Sequence, residues 1–219
     1  MNLTNAKIEK KAANYVRTLL KRAHAREPNI TTNLQKIALE VSAEMVGLEH
    51  KFKAEESLTQ KLVYRAVKNF EYQLKQEFSE EKVIREMFSE LVEEQNDVLR
   101  YTFVLPFEKY VFGFRHSSEK LKLQGYEIPK DKIWNAWKNI GTSFDKGYRG
   151  INITVFSSQE QKFELQFHTE QSLQLKLKTH KLYKEVRMPR TSRHRKIEIA
   201  KMMVNLAKET AVPQGVRKL

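Results

Sequence analysis

The period of the apolar residues changes at Asp97, and that change limits what the chain can build. Before it, apolar side chains recur at three- and four-residue steps. Ile8, Ala12, Tyr15, Val16, Leu19, Leu20 and Ala23 define a helix over 3–26, ended by Pro28. Thr31 and Thr32 can cap a second helix striped by Leu34, Ile37, Ala38, Val41 and Met45 and closed by Gly47. A third helix is predicted over about 54–76, with Leu58, Leu62, Ala66 and Phe70 in line. A fourth covers about 80–94, with Val83, Ile84, Met87, Phe88, Leu91 and Val92 on one side. From Asp97 to Leu105 the pattern alternates, as in a strand that Pro106 stops. Helix is expected over 107–123, a short strand at Tyr126–Ile128, and loop from 130 to 149 with a Lys146-Gly147 turn. Alternation returns at Ile151–Phe156 and Gln161–His168. Helices follow at 170–187 and about 193–210, and a frayed tail at 211–219. This order predicts an α+β fold: a mixed, mostly antiparallel sheet of about four or five strands under helical cover, with a helical N-terminal region and C-terminal helices. Three regions are expected: 1–47 helical, 48–187 the core, and 188–219 a basic helix and tail.

Composition narrows the chemistry. The 219 residues contain no cysteine, which excludes disulfides, thiolate metal sites and a cysteine nucleophile. Seven glycines and five prolines are few breakers for this length. No apolar run reaches the roughly 18 residues of a membrane span, so no membrane insertion is expected. The basic N-terminus has no apolar stretch leading to a small-residue cleavage site, so no classical signal peptide is expected. These features suit the cytoplasm of the producing cell, or of a target cell if the chain is secreted by another route. The net charge of +13 favours polyanionic partners such as nucleotides or RNA.

The cleanest alternation lies in Lys162–His168. Phe163, Leu165 and Phe167 share one face; Glu164, Gln166 and His168 share the other. If Ile151–Phe156 pairs beside it, Asn152 and Thr154 join those residues in a polar floor. The same pattern also fits the solvent side of an ordinary sheet. Asp97 offers a second carboxylate, and with Glu164 it can supply oxygen ligands to a magnesium ion. Asp97 has the parity of Leu99 and Tyr101, so it reaches the floor only from before regular pairing begins, or at a bulge. Lys53, Ser57 and Lys61, spaced by four, line up as a basic face of the third helix, extended by Lys51 and Arg65; the same row also fits a solvated face. Ser172, Lys176, His180, Tyr183 and Arg187 make a polar stripe on the helix after the floor strand, and Tyr148 sits between Gly147 and Gly150 beside Arg149.

Taken in order, these segments resemble the synthetase domain of the RelA/SpoT family, the alarmone synthetases, in the style of its small single-domain and toxin members. The likeness runs from about Leu48 to Arg187. Lys51, Lys53, Ser57 and Lys61 resemble the family's R-x-K-x3-S-x3-K segment, with Lys51 in place of Arg. Asp97 resembles its metal-binding Asp. Gly147-Tyr148-Arg149 resembles its G-Y-[RK] motif, and Phe163–Thr169 its V-E-[IV]-Q-[IF]-R-T motif. The departures are Thr179-His180 for an E-H pair, Asn152 for a His, and His168 for an Arg.

The resemblance implies an ATP-dependent pyrophosphokinase that acts on a ribose 3′-hydroxyl, with Mg²⁺ as cofactor and ATP as co-substrate. It implies Asp97 and Glu164 as metal ligands and catalytic residues, Glu164 also as base. Lys51, Lys53, Ser57, Lys61 and Arg100 would bind ATP. Tyr148, Asn152, Gln166, His168, Lys176, His180 and Tyr183 would bind the acceptor: a guanosine or adenosine nucleotide, or the 3′ end of tRNA. The departures fall on the acceptor side. A synthetase without a hydrolase module invites an antitoxin or immunity protein as partner. The basic segment 187–196 is a candidate RNA-phosphate patch. The competing reading is a non-catalytic RNA-binding protein that keeps a nucleotidyltransferase-like fold.

Overall fold

The computed structural model describes residues 3–73, 80–138, 147–188 and 190–219. Lys146 of the expected turn, Pro189 of the basic segment and the last residues of the expected third helix lie outside these, as do the side chains of Phe70, Val83, Ile84 and Arg187. The order is α1 (Leu3–Glu40), β1 (Glu44–Val46), α2 (Glu55–Gln73), α3 (Glu80–Glu93), β2 (Arg100–Val104), α4 (Tyr110–Leu123), β3 (Ile133–Asn135), β4 (Ile151–Phe156), β5 (Lys162–His168), α5 (Glu170–Arg187) and α6 (Arg193–Lys208). It is the expected mixed α+β architecture.

The five strands form one sheet in the order β1-β2-β5-β4-β3. β5 is central. It runs parallel to β2 and antiparallel to β4, while β1 and β3 pair antiparallel at the two edges. On one face Tyr101, Phe103, Ile151, Ile153, Phe163, Leu165 and Phe167 are buried against Ile30, Leu34 and Ile37 of α1 and Tyr110 and Phe114 of α4. Phe167 meets Phe103 and Phe114 edge-on at 5.7 and 5.1 Å. A second cluster joins the first half of α1 (Ile8, Ala12, Val16, Ala23) to Leu58, Leu62 and Ala66 of α2 and Met87, Phe88 and Leu91 of α3.

The two expected N-terminal helices are one. Pro28 lies inside α1 and does not end it. A proline in a helix interior costs about 3 kcal/mol. Burial of each large apolar side chain returns roughly 1.5–3 kcal/mol, and both halves of α1 have a core to fill. Thr31 and Thr32 are therefore not caps. The Thr32 hydroxyl donates to the Pro28 carbonyl at 2.9 Å, and the Thr31 hydroxyl lies 2.8 Å from that of Tyr101. Met45 leaves the helix for β1, opposite Phe103.

Three other expectations change. The segment 130–149 contains β3, whose three residues are too few to show a period. The Tyr126–Ile128 strand shrinks to a single bridge, Glu127 to Phe156. The tail is docked: Val216 is buried and its carbonyl accepts from Asn135 Nδ2 at 2.8 Å.

Because Pro28 is exposed and costs a backbone bond within a continuous helix, Pro28→Ala is expected to stabilise the fold by about 1–3 kcal/mol. Chemical denaturation measures it; an unchanged or lower midpoint would mean that the helix needs the proline.

Candidate active site

The face of the sheet opposite the core carries the polar residues, and the register decides which of them meet. Arg100 lies beside Glu164 and Thr102 beside Gln166 across the β2–β5 pair. Across β4–β5, Thr154 lies beside Glu164 and Asn152 beside Gln166. Trp134 of β3 pairs with Asn152. The floor expected from alternation is therefore assembled, with Arg100 and Thr102 added by β2.

At one end sits Asp97. It precedes β2 and so escapes the parity of the strand. Its carboxylate accepts from Lys53 Nζ at 2.5 Å and from Lys61 Nζ at 2.9 Å. Lys61 also donates to Gln95 Oε1 at 3.1 Å, and neighbouring Asn96 donates to Thr154 Oγ1 at 2.8 Å. Lys53 is not on the helix, as the spacing suggested. Its segment lies along the start of β2, through Lys53 N to Val98 O (3.0 Å) and Arg100 N to Lys51 O (2.8 Å). Ser57 is exposed in the first turn of α2. Lys51 turns to Glu27 of α1, at 2.8 Å.

At the other end Tyr148 is held on three sides. Its hydroxyl donates to Asn152 Oδ1 at 2.8 Å and lies 2.8 Å from His168 Nε2. Its ring stacks on Trp134, 5.2 Å between centroids and 14° between planes. The flanking glycines admit this turn. A Cβ on Gly147 would lie 2.8 Å from Met203 Cβ of α6, and one on Gly150 would lie 3.0 Å from His168 Cε1. His168 is fully buried, and its Nδ1 lies 2.9 Å from Ser172 Oγ. Ser172 and Thr169 form the capping box that starts α5.

α5 reaches the floor through Lys176. Its ammonium donates to Gln166 Oε1, and Gln166 Nε2 donates to Glu164 Oε1. His180, one turn on, is exposed and feels the charges of Lys184, Lys176 and Arg100. Tyr183 is exposed further along the helix.

Burial and neighbouring charge set the ionisation states. Burial pushes the Asp97 carboxyl up, but Lys61 and Lys53 outweigh it and hold it at about 2. Burial, then Arg100, lowers Lys176 to about 8 against the pull of Glu164. Burial, then Lys176, lowers His168 to about 3, so the imidazole is neutral near pH 7. With the Tyr148 proton on Asn152, His168 donates from Nε2 and accepts at Nδ1.

Among the described residues no three His, Asp or Glu side chains are grouped as a metal cage. Two carboxylates, Asp97 and Glu164, still suit a magnesium ion that brings its own water and phosphate oxygens. Asp97 would then exchange one or both ammonium groups for the ion.

Sequence reasoning missed Gln95 and Asn96, Thr102, Trp134, and Ser172 as the partner of His168. Asn96 was findable as the neighbour of Asp97. Trp134 was not, because β3 has no readable period.

No protein-family model matches the chain, and no curated protein matches it in sequence. Solved structures do match in three dimensions. Small alarmone synthetase 2 from Bacillus subtilis aligns with TM-score 0.52 and 12% identity, over 88% of this chain and 90% of that one. Small alarmone synthetase 1 from Bacillus subtilis, bound to its product pppGpp, aligns with TM-score 0.50 and 13% identity, over 88% and 92%. The fold is that of the small alarmone synthetases. The Type VI effector Tas1, solved with its immunity protein, aligns with TM-score 0.48 and 13% identity, over 89% and 96%.

The buried His168 makes the fold acid-sensitive. Its folded value of about 3 lies below the ordinary 6.5, so its contribution is complete above pH 6.5 and is lost as pH falls towards 3. Stability is expected to drop by on the order of 1 kcal/mol per pH unit in that window. His168→Gln should flatten the slope, and denaturation midpoints from pH 7 to 4 measure it.

Proposed function

We propose that the chain transfers the pyrophosphoryl group of ATP to a ribose 3′-hydroxyl. The supporting observation is Asp97 held between Lys53 and Lys61 at the edge of a floor that carries Glu164, on a small alarmone synthetase fold. In this reading the acceptor's 3′-oxygen attacks the β-phosphorus of ATP. The bond from that phosphorus to the α-β bridging oxygen breaks, AMP leaves, and Glu164 takes the hydroxyl proton. Lys53 and Lys61 hold the β- and γ-phosphates, with Ser57 adding a hydroxyl from the start of α2. Arg100, beside Glu164, faces the α-phosphate. Lys51 reaches ATP only by leaving Glu27. A magnesium ion held by Asp97 and Glu164 supplies neutralisation of the phosphate charge. What remains for the protein is positioning and fixed charge.

The acceptor lies over Tyr148, Asn152 and Gln166, with Lys176 as the cation at the floor and His180 and Tyr183 further along α5; His168, fully buried, serves the acceptor only by fixing the Tyr148 hydroxyl from behind. His168 is neutral where the resembled family has an Arg, so this position gives the acceptor no charge and instead holds Tyr148 in place. A guanosine or adenosine nucleotide and the 3′ end of tRNA are the candidate acceptors. A transfer activity that consumes ATP calls for restraint, so an antitoxin or immunity protein is the proposed protein partner.

The test is direct. Pure protein with γ-labelled ATP and Mg²⁺ is offered GDP and GTP, the adenosine nucleotides, and tRNA. Label is expected on one acceptor, and Asp97→Asn or Glu164→Gln should lower the rate by about 100-fold or more. No transfer by the folded protein, with RNA binding that survives Glu164→Gln, would favour the non-catalytic RNA-binding reading, which the net charge of +13 also suits.

Lys176 supplies a pH dependence. It loses its charge as pH rises through about 8, so the acceptor KM is expected to rise above that pH. Lys176→Met should raise KM throughout and abolish the dependence; an unchanged pH profile in that variant would remove Lys176 from acceptor binding.

A further inference from the structure

Asn96 has no part in the reaction just described, yet its side chain makes a long reach. It precedes β2, which lies on one edge of β5. Its Nδ2 donates at 2.8 Å to Thr154 Oγ1 of β4, which lies on the other edge. Two strand spacings, about 10 Å, separate β2 from β4. The turn that leads from α3 into β2 therefore crosses β5 on the polar face. A second contact agrees: Lys162, at the start of β5, donates from Nζ to the Glu93 carbonyl at the end of α3, at 2.5 Å. The crossing is tied down at one place. Thr154 is the β4 partner of Glu164, so the Asn96 amide is anchored to the direct neighbour of that carboxylate.

The tie suits a fixed geometry. Thr154 is buried, and a β-branched side chain on a strand has few rotamers, so Oγ1 is a firm acceptor. On the other side of Asp97 the backbone is also held. Lys53 N donates to Val98 O at 3.0 Å, and Glu164 N donates to Leu99 O at 2.9 Å. Asp97 thus lies between a side-chain tie to β4 and a backbone tie to β5, and neither uses its carboxylate. Gln95 completes the turn. It is buried, and its Oε1 accepts from Lys61 at 3.1 Å. Lys61 therefore keeps an acceptor when the Asp97 carboxylate turns from the ammonium to an ion.

We propose that Asn96 and Thr154 are a positioning pair that sets the spacing of Asp97 and Glu164 for a divalent ion. The proposal rests on the reading of those two carboxylates as metal ligands given above. Carboxylates from separate segments share one small ion only at a narrow separation, because its oxygen ligands lie about 2.0–2.1 Å away. A turn free to drift by about 1 Å would lose one of them. Groups that orient ligands from outside are worth about 10–100-fold in metal affinity.

Mn²⁺ reads the site without turnover. It is titrated into the protein with α,β-methylene-ATP, which cannot be cleaved at the transferred group, and followed by electron paramagnetic resonance. Wild type is expected to bind it and Asp97→Asn is not. Thr154→Val keeps the side-chain shape and removes the acceptor, and should weaken Mn²⁺ binding by about tenfold or more. Thr154→Ser restores the hydroxyl and should bind within about twofold of wild type. Asn96→Ala should match Thr154→Val, and the double variant should be no weaker than either, because all three lose the same bond. Wild-type affinity in a folded Thr154→Val, with Asp97→Asn inactive in binding, would overturn the positioning pair and leave the metal reading standing. Thr154→Ser as weak as Thr154→Val, or additive losses in the double variant, would overturn the pair as well. No Mn²⁺ binding by wild type would remove the metal reading and the pair together.

Discussion

β5 has a neighbour on each edge, β2 in parallel and β4 in antiparallel, so its backbone is committed and its side chains must divide between two faces. Phe163, Leu165 and Phe167 go into the core with no exposed surface. Glu164, Gln166 and His168 are thereby forced onto the other face. A slip of one residue would exchange the sets, placing a carboxylate, an amide and an imidazole against Tyr101, Phe103 and α1. The hydrophobic effect thus fixes the register of the polar floor, and every pairing in the floor follows: Arg100 with Glu164, Thr154 with Glu164, Asn152 with Gln166.

This is why so much of the centre was legible in the sequence. Alternation over seven residues leaves one solution for β5, and the shorter run Ile151–Phe156 finds the matching edge. α5 begins at Glu170, as expected, because Thr169 and Ser172 cap it. What could not be read depends on contacts distant in sequence. Pro28 looks like a stop, yet α1 passes through it, since the halves are held by different cores. β3 is three residues long and is made a strand by β4. The tail carries Pro213 and Gly215 and still docks, because Asn135 supplies a donor to Val216. Parity correctly required Asp97 to lie before regular pairing. That it sits between two ammonium groups needed the approach of α2 and of the strand-like segment at Phe52, which spacing along a helix misplaced.

Electrostatics give the two ends of the floor different characters. At Asp97, two ammonium groups meet one carboxylate, and the local sum stays positive. The Coulomb attraction there wins over desolvation, which is why the acid stays ionised despite its burial. At His168 the balance is reversed. Among the described residues no carboxylate is bonded to the imidazole; burial decides, and Lys176 adds to it by repelling the ring's proton. The hydrogen bonds to Tyr148 and Ser172 then satisfy both ring nitrogens of the neutral form. Cationic groups are thus gathered around the carboxylate at the Asp97 end, while at the other a neutral, buried imidazole serves to hold Tyr148 in place.

That asymmetry bears on how Tyr148 is used. A tyrosine that only stacked on a ligand would need one face open and its hydroxyl unencumbered. Here the hydroxyl is tied to Asn152 and His168, and one face is taken by Trp134. The ring is consequently fixed before any ligand arrives, and no side-chain entropy remains to be lost there on binding. Gly147 and Gly150 secure this from the backbone, each at a point where a methyl group would collide with α6 or β5. Since Trp134 stacks on a ring that cannot move, its own outer face is held at a fixed height above the edge of the sheet. An exposed indole so supported is preorganised surface.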